Sequence, residues 1–143
     1  MTTTKMLPMD ELHQKAMELA DLAYSAERKG KTENLQALYS EAFEYEKAAA
    51  MLLINEYDME PTRSVYFRSA ASLIYSLPNI SFEHFRAAER MVAFGLSGKP
   101  PAAIADELRD VLEHLKIKFY TQQAEGENSE QEGKFVAVNL KTR

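Results

Sequence analysis

Apolar residues recur at three- and four-residue steps along most of this 143-residue chain, which is the spacing of one side of an α-helix. The first run predicts a helix that ends at Gly30, with an apolar stripe of Met9, Leu12, Ala16, Leu19, Ala23 and Ala26. A second helix is predicted after Thr32, its N-cap, with Leu35, Leu38, Ala42, Ala49 and Leu53 on its stripe. Residues 1–8 are expected to form a flexible N-terminus.

The middle of the chain contains a complete helix–turn–helix pattern with its own start, turn and stop signals. Pro61 suits the first position of a helix, and Pro78-Asn79 ends that helix because the residue before proline disfavours helical geometry. Ser81 is a good N-cap for the next helix, which Gly98 terminates. The predicted buried stripes are Phe67, Ala70, Ala71 and Ile74 in the third helix, and Phe82, Phe85, Ala88, Val92 and Leu96 in the fourth.

The last part of the chain changes from helical to alternating patterning. A fifth helix opens at Pro101 and carries Ile104, Leu108, Val111, Leu112 and Leu115, which gives a helical domain over residues 9–116. In the polar tail, residues 117–143, the segments 117–121 and 134–140 alternate apolar and polar residues and predict a small β-hairpin. Its edge would offer partner contacts through Phe119, Phe135, Val136 and Val138. The alternative is a partly disordered tail.

Small residues at fixed offsets give the predicted helix pairs a family resemblance. Ala70-Ala71 lies mid-way along one helix, Ala88 and Gly95 follow seven apart on the next, and Pro100 comes five residues later. This pattern resembles the tetratricopeptide repeat in a degenerate form with a lengthened turn. The segment 39–49 of the second helix is similar to the same motif. The alternative is that any alanine-rich helix pair shares these features.

The resemblance implies an all-α fold of about five antiparallel helices in a short right-handed stack. In tetratricopeptide proteins the first helix of each pair lines a concave groove that binds a peptide. The positions that the resemblance assigns to this groove are Met17, Asp21, Tyr24, Arg68, Ser72, Tyr75 and Arg109. The expected function is a non-enzymatic protein–protein interaction or scaffolding module for an unidentified protein or peptide.

Composition narrows the classes of partner. The net charge of −5 argues against nucleic acid, because phosphate binding needs a basic footprint. No apolar run approaches the roughly 20 residues that a membrane-spanning helix needs, and the first ten residues have no apolar signal-peptide core. The sequence has no cysteine, so a cytoplasmic location is expected. Asp10 and His13 have a metal-ligand spacing, but without a second such motif no metal or cofactor is predicted.

One short string points to a different class of function. The segment from Arg109 to His114 resembles the Arg-x4-His motif of HEPN ribonucleases, which are small all-helical proteins that act as dimers. The resemblance implies that His114 would act as general base while Arg109 would stabilise the charged transition state. Acidic neighbours on the same helix argue against RNA binding there. A HEPN-like ribonuclease, or an inactive relative, is therefore the alternative function.

Four arginines on the third and fourth predicted helices allow two interpretations. Arg63, Arg68, Arg86 and Arg90 are either solvated charges paired with nearby glutamates or a clamp for an acidic peptide. We favour solvated charges.

Overall fold

The fold is all-α, as predicted. A computed structural model describes residues 6–134, with side chains as far as residue 127. Within that part of the chain the helices are α1 (Pro8–Arg28), α2 (Leu35–Leu52), α3 (Thr62–Tyr75), α4 (Phe82–Leu96) and α5 (Ala102–Lys134). A single 3-10 turn, Tyr57–Met59, lies between α2 and α3.

Successive helices run antiparallel, as contacts near their ends indicate. The beginning of α1 meets the end of α2 through His13 and Glu46, and its end meets the start of α2 through Glu27 and Tyr39. The start of α3 lies at the end of α4, and the start of α4 lies against the second half of α5. Helix α3 therefore has α2, α4 and α5 as neighbours and forms the centre of the bundle.

Alanines allow the close helix contacts on which this packing depends. Eight of them are fully buried, namely Ala16, Ala23, Ala42, Ala49, Ala50, Ala70, Ala71 and Ala88, and all except Ala50 lie on the stripes predicted from the sequence. Larger side chains such as Phe43, Phe67 and Phe85 fill the space between these contacts. A short side chain at the crossing points is therefore a packing requirement, because protein interiors leave little free volume.

Replacement of Ala71 by leucine is expected to destabilise the protein by about 1–3 kcal/mol, because overpacking forces neighbouring helices apart. Ala71 has no exposed surface, whereas Ala93 on α4 is exposed. The matched control Ala93→Leu should change the free energy of unfolding by no more than about 0.5 kcal/mol. Urea melts measure both variants, and equal midpoints would show that Ala71 is not at a tight contact.

A buried arginine joins α3 to the ends of two other helices. Arg63 has no exposed surface, and its guanidinium donates hydrogen bonds to the carbonyl oxygens of Ile54 (3.0 Å) and Phe94 (2.9 Å). Glu60, which lies 3.6 Å away, completes the charge pair. This position corrects the interpretation of Arg63 as a solvated charge. Carbonyls at helix ends lack backbone partners within the helix, and one arginine donates to a carbonyl just beyond α2 and to one in the last turn of α4.

Gly98 leaves room for the guanidinium of this arginine. A Cβ atom built on Gly98 would overlap Arg63 Nη1 and lie 2.8 Å from its Cζ atom. Gly98→Ala should therefore cost about 1–3 kcal/mol of stability through overpacking. Gly126→Ala is the control, since its Cβ would meet nothing, and it should leave stability unchanged or slightly raised. Thermal unfolding compares the two; a Gly98→Ala protein as stable as the wild type would contradict the assigned contact.

Two expectations about individual segments need correction. Residues 117–121 continue α5 instead of forming the first strand of a hairpin, because Phe119 is buried against Phe85 with ring centroids 4.6 Å apart. The second predicted strand lies outside the described residues except for Lys134.

Phe82, assigned to the buried stripe of the fourth helix, is 56% exposed. Among the described residues, no helix is both long and apolar enough to cross a membrane.

Candidate functional site

The candidate site is the side of α3 that faces α5, where three of the predicted groove residues lie in line. Arg68, Ser72 and Tyr75 follow one another at four- and three-residue steps, so they share one side of α3. Arg68 forms an ion pair with Glu107 of α5, and the Tyr75 ring lies edge-on to the ring of His114, with centroids 6.1 Å apart. These contacts also show that α3 and α5 run parallel.

A pocket of about 230 Å³ opens between the two helices in the middle of this line. It is lined by Ser72, Tyr75, Val111 and His114. The imidazole of His114 is oriented by a hydrogen bond of 2.7 Å from Nδ1 to the backbone oxygen of Asp110, which leaves Nε2 as its other polar atom. The pocket thus combines an aromatic ring and a valine with one hydroxyl and one imidazole.

Lys118 closes the end of the site beside the last turn of α3. Its ammonium donates hydrogen bonds to the carbonyl oxygens of Tyr75 (2.5 Å) and Leu77 (2.8 Å), and it lies 4.9 Å from the centroid of the Tyr75 ring. Partial burial lowers the pKa of Lys118, because removal from water disfavours the charged form. Lys118 therefore holds α5 to the carboxyl end of α3 and fixes the position of Tyr75.

Helix α1 carries three further predicted groove residues, Met17, Asp21 and Tyr24. Two residues near its start contact Tyr66 of α3. The Tyr66 hydroxyl donates a hydrogen bond of 2.5 Å to Asp10, and the ring of His13 stacks on the Tyr66 ring with centroids 4.4 Å apart. Steps of four and seven residues continue this side of α1 from His13 to Met17 and Tyr24, with Met17 half-buried and Tyr24 exposed. Asp21, which is also exposed, lies at the edge of the same side.

A buried polar cluster lies where α1, α2 and α3 meet. Glu46 is fully buried, and both of its carboxylate oxygens lie 2.8 Å from Nδ1 of His13. Burial raises the pKa of Glu46, although hydrogen bonds from Ser69 and His13 act in the opposite direction. The hydroxyl of Tyr66 donates to Asp10, and burial together with this carboxylate raises the pKa of Tyr66. The cluster attaches α1 to the bundle through polar contacts.

Arg109 does not lie with the other predicted groove residues. Glu107, Val111, His114 and Lys118 occupy the side of α5 that faces α3. Arg109 is two residues beyond Glu107, which corresponds to about 200° of helix rotation, and it pairs instead with Asp106 at 3.5 Å. It is also separated from His114 by five residues, or about 140°, so a single chain does not bring the two together.

The predicted edge contacts in the tail do not form a site in the described structure. Phe119 is 2% exposed and belongs to the core, so it cannot act as a free edge residue. Phe135, Val136 and Val138 lie outside the described residues.

Sequence reasoning missed three side chains on the α5 side of the groove and one buried acid. Val111 was assigned to a core stripe, His114 to a catalytic string, and Lys118 to a strand, yet all three line or close the groove. Their four- and three-residue spacing was the available signal. Glu46 falls between Ala42 and Ala49 on the stripe of α2, and a charged residue on an apolar stripe indicates a buried pair.

The described side chains contain no group of three histidine, cysteine, aspartate or glutamate residues placed to hold a metal ion. Comparisons of the chain with protein-family models, with curated proteins and with solved structures found no match.

Proposed function

We propose that this protein is a non-enzymatic interaction module that binds a peptide segment of a partner protein in the groove formed by α1, α3 and α5. The observation that supports this most directly is the pocket beside Tyr75 and His114, at the centre of an exposed line of side chains. A mostly apolar pocket with a few converging polar groups is the usual form of a binding site.

The arrangement of helices is compatible with a short tetratricopeptide-like stack, which we include in the proposal. Helices α3 and α5 are parallel neighbours, and the first turn of α1 contacts α3, so the first helix of each pair lies on one side of the bundle. A peptide bound on this side of the bundle would contact α1, α3 and α5 at the same time. Arg68 and Glu107 provide one charge of each sign at its start, and Lys118 closes its end.

The pocket is suited to one apolar side chain of the peptide as an anchor. Tyr75 and Val111 give it apolar walls, while the Ser72 hydroxyl and His114 Nε2 can hydrogen bond to the adjacent peptide backbone. Burial of one aliphatic or aromatic side chain contributes about 1.5–3 kcal/mol. The remaining affinity would come from contacts along Arg68 and the exposed side of α1.

Selection from a random peptide library displayed on phage tests the proposal. The wild type should enrich a set of related peptides, and Ser72→Arg should lose them because the longer side chain fills the pocket. Ser25→Arg, on an exposed position of α1, is the matched control and should retain binding. If the wild type enriches nothing, or if Ser72→Arg binds the same peptides equally well, the groove is not a peptide site.

The HEPN-like ribonuclease is the second candidate, and the orientation of His114 is the observation in its favour. Its Nδ1 atom is fixed by a backbone carbonyl at the edge of a pocket, as a general base requires. Arg109 would have to come from a second chain, as the resemblance implies. Incubation of labelled RNA with the wild type and with His114→Ala separates the two classes: cleavage that disappears in the variant would overturn the non-enzymatic proposal.

A further inference from the structure

The outer face of α5, turned away from the bundle, carries large apolar side chains that are open to solvent. Leu115 and Phe119 are buried against the bundle, whereas Ile117 and Tyr120 are 59% and 56% exposed. With Thr121 and Ala124 they line a shallow depression of about 520 Å³, to which Lys116 also contributes. Steps of three and four residues keep all four on one side of the helix, about half a turn from the buried stripe. We call these four residues the α5 outer face.

An exposed phenylalanine of α4 extends this surface. The ring of Phe82 lies 6.1 Å from Phe119, and Phe119 lies 5.2 Å from Tyr120, so the exposed rings of Phe82 and Tyr120 flank the same buried ring. Phe82 is also 56% exposed. Single exposed apolar residues are ordinary, but a contiguous group of large ones marks an interaction surface.

We propose that the α5 outer face docks a basic amphipathic helix of a partner protein. The spacing of the stripe decides the shape of the partner, because a row at positions i, i+3, i+4 and i+7 is the seam on which a second helix packs. Gln122 is hydrogen bonded to Pro78 and Ile80 of the bundle, and residues 123–134 continue α5 beyond this contact. That extension adds about 18 Å of helix along which a partner can align.

The charged residues around the α5 outer face indicate the net charge that a partner helix should carry. Asp110 and Glu113 precede the apolar stripe and Glu125 and Glu127 follow it, all exposed. The cations within this stretch are Lys116, which is exposed, and Lys118, which is bound to carbonyl oxygens at the end of α3. Arg86, which lies 4.8 Å from the Phe82 ring, is already paired with Glu89. Lysine or arginine residues flanking the apolar side of a partner helix would therefore meet opposite charge at both ends of the stripe.

The same charges disfavour a second copy of this chain as the occupant. If two α5 helices paired antiparallel about Tyr120 and Thr121, Glu113 of one would approach Glu127 of the other, although Lys116 would lie opposite Glu125. A parallel pair would place identical acidic residues opposite each other. The parallel arrangement therefore brings like charges directly together, and the net charge of −5 on each chain opposes both arrangements.

The test uses labelled synthetic peptides of about 18 residues, long enough to form a helix. The first has leucines on one side and lysines on the other, the second replaces the lysines by glutamates, and the third replaces the leucines by serines. Fluorescence anisotropy with the full chain at physiological salt should show binding of the first peptide. The second and third peptides should bind more weakly by about tenfold or more, because each lacks either the ionic or the apolar contacts of the first.

Variants locate the binding surface. The double change Ile117→Ser and Tyr120→Ser should weaken binding of the leucine–lysine peptide by about tenfold or more. Leu22→Ser on α1 is the control, because Leu22 is also 59% exposed but lies outside the α5 outer face. Ser72→Arg should leave binding of the leucine–lysine peptide unchanged, because Ser72 lies in the groove, on the side of α5 that faces α3. Circular dichroism checks that each variant keeps the wild-type helix content.

Each alternative outcome overturns the proposal. Absence of binding, equal binding of the glutamate peptide, or equal binding by the Ile117→Ser, Tyr120→Ser protein would show that the outer face does not dock a basic helix. Loss of binding in Ser72→Arg would place the peptide in the groove instead. Light scattering that shows a dimer of the wild type and a monomer of the double variant would assign the surface to self-association.

Discussion

Arg63→Met is expected to destabilise the protein by about 3–5 kcal/mol, the cost of removing one partner from a buried charged network. The methionine keeps the unbranched stem but has no donor, so the carbonyl of Ile54 loses the hydrogen bond from the guanidinium and that of Phe94 keeps only the one from Ser97. Glu60, which is only 10% exposed, would lose its counter-charge. The ends of α2 and α4 would both be affected by this single change.

Arg86→Met is the matched control for this prediction. Arg86 is exposed on α4 and pairs with Glu89, so its replacement should change the free energy of unfolding by no more than about 0.5 kcal/mol. Urea unfolding followed by circular dichroism measures both variants. Similar midpoints for the two would mean that the buried guanidinium contributes little, and that the carbonyls find water when it is removed.

Lysine at position 63 separates charge from geometry. Arg63→Lys keeps the positive charge beside Glu60, but an ammonium group lacks the planar fork that reaches several carbonyls at once. We therefore expect Arg63→Lys to fall between the wild type and Arg63→Met in stability. A lysine variant as stable as the wild type would show that charge alone is sufficient.

The sequence was sufficient to predict the number of helices and most of the buried stripes. Periodic apolar positions and strong punctuation carry this information locally, as the Ser81 N-cap illustrates: its hydroxyl accepts a hydrogen bond of 3.0 Å from the backbone N–H of His84. The alanines could also be placed, because their spacing of three or four residues is a property of one helix. Both features depend on residues that are near neighbours in the chain.

Features that depend on distant residues were not predicted. Arg63 is buried only because the ends of α2 and α4 bring unpaired carbonyls to it, and nothing in the sequence around it shows those partners. Apolar and polar residues alternate over residues 117–121, as they do in a strand. The segment is nevertheless helical, and its Phe119 ring stacks on the ring of Phe85. Tertiary packing overrides local strand preference in this segment.

The position of the residues proposed for the groove follows from the sequence only in part, for the same reason. Arg68, Ser72 and Tyr75 lie on one side of one helix, so their shared position follows from periodicity alone. Arg109 was assigned from the resemblance, but the side of α5 that faces α3 is set by Glu107 and His114, and only the packing of two helices reveals it.

His13→Ala is expected to produce the second large effect, a loss of stability that depends on pH. Glu46 is fully buried and receives hydrogen bonds from His13 and Ser69. Removal of the imidazole leaves an ionised carboxylate without its partner, for which the cost is about 3–5 kcal/mol in a fully buried pair. The side chain of His13 is 31% exposed, so water can partly replace it and the lower end of that range is expected.

The direction of the pH dependence follows from the pKa of Glu46. Burial already raises this pKa, and the loss of His13 removes an interaction that lowers it, so the pKa in the variant should rise further. A carboxyl group whose pKa is higher in the folded than in the unfolded state favours folding at low pH, and this contribution is lost as the pH rises through the folded-state value. The penalty of His13→Ala should therefore be small in acid and should grow as the pH rises through the range in which Glu46 ionises.

Urea melts of four proteins over a range from about pH 5 to pH 8 test this expectation. The wild type and His13→Ala give the penalty, while Glu46→Gln and the double variant show whether it depends on the ionised carboxylate. Glutamine keeps an acceptor for Ser69 but cannot ionise, so in that background the loss of His13 should cost less and should vary little with pH. A penalty for His13→Ala that is independent of pH, or equally large in the glutamine background, would show that the imidazole stabilises the junction of α1, α2 and α3 by packing on Tyr66 rather than by compensating Glu46.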